Sequence, residues 1–496
     1  MLWTSSGTGL QALVQLFVLM ALGRLLTPGD FGLMGAAVVV IALSQIVSQV
    51  GVGPAIVQRL ELEPIHVRAA FTISGALGFV LGAGVWFAAP LLADFYRMPA
   101  VEPVLRGVAL LFPIDGLNTV GESLLTRQLR FRLFAAIDLA CYIVGYACIG
   151  VVLAWQGFGV WALVVANLSQ ITLRTIAMYL ATRHPVRPSL NLRASFDLLS
   201  YGFGHSLAQV GTVLAQQGDN MVVGRWLGPA ALGIYGRAYT LMVMPATVFG
   251  KIVNRVLFPV MSQVQDERER LAGAYERALA IVSLLSLPVS AVLWVVAPEF
   301  IPALLGPKWG AVVLPFRLFT CGLFFRMSSK ISDVCTKSAG AVYSRALIQA
   351  IYAVLVVTGA VIGQRWGVGG VAVAVSIAMG ANWLAMAALG RSVTGLSWPR
   401  FVQSQAPGAA LAVVLGSAVA LTVHGARSAH LGGIAVLAVG VGTATVLALV
   451  VMWSRSMQLL GSHGIWASRQ AEQLLRRVSA ARGRRDADGL AEVNPK

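Results

Sequence analysis

The stretch GRLLTPGDFGLMGAA, residues 23–37, is a charged, turn-rich junction between two long apolar runs. It occurs again as GRWLGPAALGIYGRA, residues 224–238, at an offset of 201 residues. Seven of the fifteen positions are identical without a gap, which gives the pattern G-R-x-L-x-P-x-x-x-G-x-x-G-x-A. Similar offsets separate two weaker pairs. One pair is GFGVWA at 157–162 with GVGGVA at 367–372, and the other is Arg106 with Arg317. These matches indicate an internal duplication.

The composition places the chain in a membrane. Of its 496 residues, 57% are hydrophobic and 11% are charged, and the mean hydropathy is +0.77. Too little polar surface is present to cover a soluble fold. The net charge of +17 does not indicate nucleic acid, because Lys and Arg accumulate on the cytoplasmic side of integral membrane proteins.

The apolar runs predict an all-α integral membrane protein with about 14 transmembrane helices. The predicted spans are 7–26, 32–51, 69–92, 104–125, 133–154, 158–180, 198–217, 231–259, 276–297, 309–328, 342–363, 367–390, 405–424 and 431–453. Basic residues concentrate in alternate loops and in the tail, which predicts that both termini are cytoplasmic. The first run lacks Lys and Arg before Arg24, so we expect a retained helix and not a signal peptide.

The duplication predicts the domain organisation. Each repeat holds six spans, an even number, so the two lobes enter the membrane in the same orientation. We expect an N-terminal lobe over 1–190, a C-terminal lobe over 191–395, an extra helix pair over 396–454 and a basic cytoplasmic tail over 455–496. The first part of the tail is amphipathic and is expected to lie on membrane lipids of the inner leaflet.

Basic residues predominate among the charged side chains of the predicted spans. A charge at the bilayer centre costs about 2.5–3.5 kcal/mol, so such residues usually face a cavity or a partner. Lys251 and Arg255 are one helical turn apart and share a face that suits phosphate or carboxylate. Alternatively, these two residues snorkel to the inner headgroups. The candidates for a cationic cavity are Arg24, Arg106, Arg174, Arg237, Lys251, Arg255 and Arg317.

Three of these arginines have a second interpretation, because Arg24, Arg106 and Arg317 lie near the outer ends of their spans and can serve as anchors there. Amide side chains on the first, second and seventh spans predict a hydrated cavity, although hydrogen bonds between helices would explain them as well. The amide candidates are Gln15, Gln45, Gln49 and Gln209.

Carboxylates within the predicted spans are fewer. Asp115, Glu122 and Asp138 are candidate sites for a coupling proton or cation. The alternative is that they neutralise neighbouring arginines.

Signatures of enzymes and of metal sites are missing from the sequence. It contains no G-x-x-x-x-G-K-[ST] and no H-E-x-x-H motif. The four cysteines have no C-x-x-C spacing, so we expect neither a disulfide nor a bound metal. We therefore expect a protein that is not an enzyme and has no cofactor.

At the junction the sequence resembles a known family. The run RLLTPGDFGL at 24–33, followed by QVGVGPAIVQR at 49–59, is similar to the opening of bacterial Wzx-type polysaccharide transporters. These belong to the multidrug/oligosaccharidyl-lipid/polysaccharide exporter superfamily. DNMVVG at 219–224 and Phe258-Pro259 extend the resemblance to the second repeat, so that it covers about residues 1–455.

The resemblance implies a flippase that moves undecaprenyl-diphosphate-linked oligosaccharide repeat units across the bacterial inner membrane by alternating access. It implies a cationic cavity for the pyrophosphate, with Arg24, Lys251 and Arg255 as candidates, and a lipid tail that lies in a groove between the lobes. A polymerase and other glycan-assembly proteins are the implied partners.

Two other functions stay open at this point. A cation-coupled multidrug or metabolite antiporter of the same superfamily would favour an acidic cavity, whereas the first span carries Arg24 and no carboxylate. A membrane glycan polymerase or ligase would need a large outer loop, and the predicted outer connections are short.

Overall fold

The computed structural model describes residues 2–48, 52–59, 61–186 and 192–453, and this part of the chain is helical and contains no strand. The helices are α1 Leu2–Leu25, α2 Pro28–Ser48, α3 Val52–Gln58, α4 Pro64–Tyr96, α5 Val101–Ala109, α6 Leu111–Arg127, α7 Phe131–Tyr142, α8 Val151–Trp155, α9 Val160–Thr182, α10 Leu192–Gln263, α11 Arg268–Leu305, α12 Val313–Ser338, α13 Val342–Gly363, α14 Gly367–Thr394, α15 Trp398–Gln403, α16 Ala406–Ser428 and α17 Gly433–Trp453. A π-helical segment, Ile143–Gly150, joins α7 to α8.

The predicted class, an all-α membrane protein, is confirmed. Within the described ranges, nine helical segments are long and apolar enough to cross a membrane, and one of them, Val342–Thr394, contains both α13 and α14. Two shorter apolar stretches lie in α1 and α2. The number of 14 spans stays a prediction.

The chain divides into two compact units. Unit 1 comprises Met1–Ile252, Phe300–Gly322 and Val342–Ala385, and unit 2 comprises Val253–Glu299, Leu323–Ala341 and Met386–Lys496. The lobes over 1–190 and 191–395, the helix pair over 396–454 and the tail over 455–496 stay predictions.

In unit 1, the first junction forms the start of α2. Thr27 precedes the helix, and its backbone N–H donates to Oδ2 of Asp30 at 2.9 Å, while the Asp30 N–H donates to Oγ1 of Thr27 at 3.2 Å. Pro28 occupies the first helical position, where no backbone N–H is needed. The T-P-G-D sequence therefore caps α2 and separates it from α1.

In the second junction a single glycine interrupts α10. Gly228 has φ 85° and ψ 179°, a conformation that side chains strongly disfavour, and Pro229 follows it. Gly228 and Pro229 correspond in the repeat to Thr27 and Pro28. Both junctions therefore divide an apolar run into two helices at the same place, by different local chemistry.

The two junctions contact each other reciprocally within unit 1. A Cβ atom on Gly32 would lie 1.7 Å from the carbonyl oxygen of Pro229, and a Cβ on Gly233 would lie 1.8 Å from the carbonyl oxygen of Pro28. These two contacts are equivalent under the repeat. The backbones approach so closely that only glycine fits at either position.

The arginine of each junction caps a helix that follows the other junction. Nη2 of Arg24 donates to the carbonyl oxygen of Ala303 at 2.8 Å, near the end of α11. Nη1 of Arg225 donates to the carbonyl oxygens of Asp94, at 3.2 Å, and Phe95, near the end of α4. A cation at a helix C-terminus is favourable, because the last carbonyls lack partners within the helix.

In unit 2, the C-terminal helices pack against α11. A Cβ on Gly408 of α16 would lie 2.4 Å from the backbone of Ser283, and one on Gly440 of α17 would lie 2.8 Å from Val296. Arg427 of α16 forms a bidentate ion pair with Glu299, in which Nε lies 2.8 Å from Oε1 and Nη2 lies 2.9 Å from Oε2. Small residues and this ion pair thus fix the helix pair to α11.

Candidate functional site

A cavity of about 680 Å³ lies among the helices of unit 1. Its wall comes from α1, α2, α7, α9, α10 and the π-helical segment. Seven amide side chains line it, namely Gln11, Gln15, Asn167, Gln170, Gln216, Gln217 and Asn220. Amides both donate and accept hydrogen bonds, so this wall suits a ligand rich in hydroxyl groups.

Arg237 supplies a positive charge in the cavity wall. Its guanidinium carbon lies 4.3 Å from the centroid of the Phe31 ring, and both residues line the cavity. The Nε atom of Arg237 is buried without a hydrogen-bond partner. Among the described residues no carboxylate pairs with it, so the arrangement leaves its donors available to an anion.

Three cavity residues follow one another at four-residue spacing on the same helical face. They are Asp138 and Tyr142 of α7 and Tyr146 of the π-helical segment. The two tyrosine rings are stacked, with centroids 5.0 Å apart and planes at 22°. The π-helical turns pack closely on α9, where a Cβ on Gly145 would lie 2.9 Å from the carbonyl oxygen of Ala166. π-Helical turns are rare and are often found at functional sites.

The predicted acidic residues form a cluster around Arg174 of α9. Nη2 of Arg174 lies 2.5 Å from Oε2 of Glu122, and its Nε lies 3.7 Å from Oδ1 of Asp138. The same positive charge acts on Asp115. Asp138 also accepts a hydrogen bond of 3.0 Å from Nε2 of Gln11, which connects the cluster to the cavity.

This cluster brings together four residues that the sequence suggested for two roles. One arginine faces three carboxylates, so it neutralises part of their charge. The coupling role of Asp115, Glu122 and Asp138 stays a prediction. Within the described ranges no group of three or more His, Cys, Asp or Glu residues could hold a metal ion.

The remaining predicted site residues lie in different places. Gln15 and Arg237 line the cavity. Arg24 caps α11, as described above, and Arg106 pairs with Glu102 at 2.8 Å beside the Trp86 ring. Arg317 lies on α12, half-buried. Gln49 lies outside the residues that the structure describes. The same holds for four further side chains, those of Gln45, Gln209, Lys251 and Arg255.

Several cavity residues were missed from the sequence, notably Tyr142, Tyr146, Asn167 and Gln170. A usable signal was the spacing D-x-x-x-Y-x-x-x-Y at 138–146, which puts three polar groups on one face of an otherwise apolar span. Asn167 and Gln170 are similarly three residues apart.

A second cavity in unit 1, of about 800 Å³, differs in its chemistry. It is lined by apolar and small residues of α12, α13 and α14 and by Trp366, with Thr358 as its hydroxyl-bearing residue. No charged side chain contributes to it. The polar cavity around Arg237 is therefore the candidate site for a polar ligand.

Comparison with known proteins identifies relatives of similar length. A family model described as polysaccharide biosynthesis protein matches residues 21–314. The chain is 24% identical to the lipopolysaccharide biosynthesis protein WzxC of Escherichia coli (strain K12) over 340 residues, which cover 68% of this chain and 69% of WzxC. It is 28% identical to the succinoglycan biosynthesis transport protein ExoT of Rhizobium meliloti (strain 1021) over 335 residues, covering 66% of this chain and 67% of ExoT.

Solved structures show the same fold. The lipid II flippase MurJ in an inward closed conformation superposes with a TM-score of 0.74 at 13% identity, covering 91% of this chain and 98% of that one. An inward-facing multidrug transporter of the MATE family superposes with a TM-score of 0.60 at 19% identity, covering 81% and 95%. At these identities the likeness establishes the fold alone. Since the family model matches more than half of its residues, the chain belongs to the family of polysaccharide biosynthesis proteins.

Proposed function

We propose that this protein is a flippase for undecaprenyl-diphosphate-linked oligosaccharide repeat units. It carries them across the bacterial inner membrane by alternating access, for the synthesis of an exopolysaccharide or O-antigen. Its relatives WzxC and ExoT are named for lipopolysaccharide biosynthesis and for succinoglycan transport, which supports a glycan cargo.

The observation that carries the proposal is the chemistry of the cavity in unit 1. Its amides can exchange hydrogen bonds with sugar hydroxyls, and Arg237 offers a guanidinium to a phosphate. Its volume of about 680 Å³ is within the usual range for enclosed ligands. Side chains of the cavity would thus replace water as hydrogen-bond partners of the polar headgroup, while its polyprenyl tail stays in the lipid.

The distribution of basic residues supports an orientation with both termini in the cytoplasm. In this orientation the cargo enters from the leaflet where cytoplasmic enzymes assemble it. A polymerase and other glycan-assembly proteins on the far side would then receive it. A transporter of this kind catalyses no covalent step itself.

A direct test uses proteoliposomes that contain a fluorescent oligosaccharide on a short polyprenyl diphosphate. Transfer to the opposite leaflet is measured by quenching from outside, with and without proton or sodium gradients. We expect the wild type to accelerate transfer and Arg237→Gln to slow it about tenfold or more, because hydrogen bonds to charged groups contribute about 1.5–3 kcal/mol.

Arg106→Gln is the matched control, since Arg106 pairs with Glu102 and does not line the cavity. Its transfer rate should equal that of the wild type. Absence of accelerated transfer by the wild type under every gradient would contradict the proposal. Export of a cationic dye instead would support the antiporter. The double variant Lys251→Ala with Arg255→Ala tests, in the same assay, the two cationic candidates whose side chains lie outside those that the structure describes.

A further inference from the structure

We propose that the apolar cavity of unit 1 binds one anionic phospholipid of the surrounding bilayer. An acyl chain of this lipid lies along α14, and its phosphate lies at Arg365, in the turn that joins α13 to α14. The site is separate from the polar cavity around Arg237, and the inference does not depend on the proposed cargo. It concerns a lipid that stays with the protein.

The cavity is a groove that opens at the surface of the helices. Small residues of α13 and α14 line much of it, namely Gly359, Gly363, Gly370, Ala374, Ala378 and Ala381. Leu314, Ile362 and Ile377 also line it, and each of them is more than half exposed. Because α12, α13 and α14 belong to segments that can cross a membrane, the groove opens to the hydrocarbon chains of lipids.

The chemistry of the groove favours an apolar chain over a polar ligand. Its hydroxyl-bearing residue is Thr358, and Oγ1 of Thr358 donates to the carbonyl oxygen of Val354 at 2.7 Å within α13. A sugar would therefore find few hydrogen-bond partners in the groove. An acyl chain needs none and gains from burial of apolar surface.

The length of the groove matches the depth of one leaflet. On α14 the groove extends from Gly369 to Ala381, which is about 18 Å along the helix axis. One leaflet contributes about 15 Å of hydrocarbon to a bilayer. The acyl chain of a phospholipid fits this length, whereas an undecaprenyl chain is several times longer. The length therefore favours a phospholipid over the tail of the cargo.

One end of the groove carries a tryptophan and a positive charge. Trp366 lines the groove and is 70% exposed, and Arg365 precedes it in the turn. The Arg365 side chain is exposed, and no carboxylate among the described residues pairs with it. Tryptophan prefers the level of the headgroups, where arginine can bind a phosphate through two N–H donors. A headgroup with net negative charge gains more from this arginine than a zwitterionic one, whose amine offsets the phosphate.

Close backbone contacts hold this end of the groove in place. A Cβ on Gly363 would lie 2.6 Å from the carbonyl oxygen of Gly370, and one on Gly370 would lie 2.3 Å from the carbonyl oxygen of Gly363. Gly367 has φ 68°, a conformation that favours glycine. The glycines therefore fix the turn that carries the arginine and the tryptophan, and the site needs little reorganisation to receive a lipid.

The test uses the full-length protein in nanodiscs that contain a phospholipid with a photoreactive diazirine in its acyl chain. Phosphatidylglycerol and phosphatidylethanolamine probes with the same chains are compared at equal mole fraction, and labelled peptides are identified by mass spectrometry. We expect labelling to concentrate on peptides from 355–381 relative to those from α17. It should be about fivefold stronger for phosphatidylglycerol, the preference expected from one basic residue beside an anionic lipid.

Two pairs of variants separate the contacts. Arg365→Gln should remove the preference for phosphatidylglycerol, whereas Arg97→Gln, at an exposed position outside the groove, should keep it. Ala381→Phe should block the far end of the groove and lower labelling by both probes severalfold, whereas Ala388→Phe, at an exposed position of the same helix, should not. Arg365→Gln alters a surface residue, so it tests the site even if Ala381→Phe does not fold.

Three outcomes would overturn the inference. They are equal labelling by the two phospholipid probes, an unchanged preference in Arg365→Gln, and labelling of 355–381 no stronger than that of α17. Displacement of the phospholipid from 355–381 by a photoreactive polyprenyl diphosphate at the same mole fraction would also overturn it, because the groove would then hold the tail of the cargo. Each of these results leaves the proposed function standing, since that is tested by transfer between leaflets.

Discussion

Three arginines of unit 1 show how neighbouring groups decide the role of a charged side chain in a membrane. Arg24 donates to a carbonyl at the end of α11, so it stabilises a helix terminus. Arg174 pairs with carboxylates at 2.5 and 3.7 Å, which balances charge among the helices. Arg237 lies on the Phe31 ring in the cavity wall and is available to an anionic ligand. Substitution of each should therefore affect a different property of the protein.

At the same scale, we expect His184 to make the stability of the fold depend on pH. It follows α9, is buried against Phe71 and Tyr179, and burial lowers its pKa below the ordinary value. Nδ1 is hydrogen bonded to Oγ1 of Thr182 at 2.8 Å, while Nε2 is buried without a partner. Protonation would place an unpaired N–H in the interior.

Because the pKa of His184 is lowered in the folded state, its stabilising contribution is present above the unfolded pKa of about 6.5 and is lost as the pH falls through the folded value. We expect His184→Gln to reduce the loss of Tm between about pH 7.5 and pH 5, measured in detergent by tryptophan fluorescence. His424→Gln, at an exposed position, should keep the wild-type loss. An unchanged pH profile in His184→Gln would exclude this role.

The arrangement of elements was partly accessible from the sequence. The repeated glycines and prolines predicted a short turn in each junction, because their conformations are restricted in known ways. The partner of each junction was not accessible, since pairing between Gly32 and Pro229 depends on contacts distant in sequence. The π-helical segment was also missed, and the close approach of its Gly145 to α9 likewise depends on contacts distant in sequence.

The reciprocal contact between the junctions predicts paired effects of substitution in α2 and α10. Gly32→Ala and Gly233→Ala each place a methyl group within 2 Å of a backbone carbonyl, which cannot rotate away. Overpacking costs about 1–3 kcal/mol and more against rigid backbone, so we expect both variants to lower the Tm or the folded yield to a similar extent.

Gly29→Ala is the control for these two variants. It lies in the first turn of α2, and a Cβ there would lie 3.7 Å from Oγ1 of Thr27, an ordinary contact. Its Tm should equal or exceed the wild-type value, because alanine favours the helix. A wild-type Tm in Gly32→Ala would contradict the close approach of the two junctions.

At the scale of the whole molecule, the C-terminal helices α16 and α17 are part of unit 2. Gly408 meets the backbone of Ser283, and the Arg427–Glu299 ion pair joins α16 to α11. The sequence placed this helix pair outside the duplication but did not indicate its packing. Removing it would expose small residues of α11 that are covered in the complete chain.

We therefore expect a chain that ends at Gln405 to lose at least about 5 °C of Tm or to aggregate, measured by fluorescence-detected size exclusion after heating. A chain that ends at Trp453 lacks only the tail and should melt like the wild type. Equal Tm values for the two truncations would show that α16 and α17 are dispensable for stability.

The reciprocal junction also has the symmetry of an interface between subunits. The two copies of the junction make equivalent contacts with each other, because Gly32 contacts Pro229 and Gly233 contacts Pro28. Likewise, Arg24 and Arg225 each cap a helix that follows the other copy. Two identical chains related by a twofold axis form contacts of this kind. The junction thus places within one chain the kind of self-complementary contact that a twofold homodimer forms between two chains.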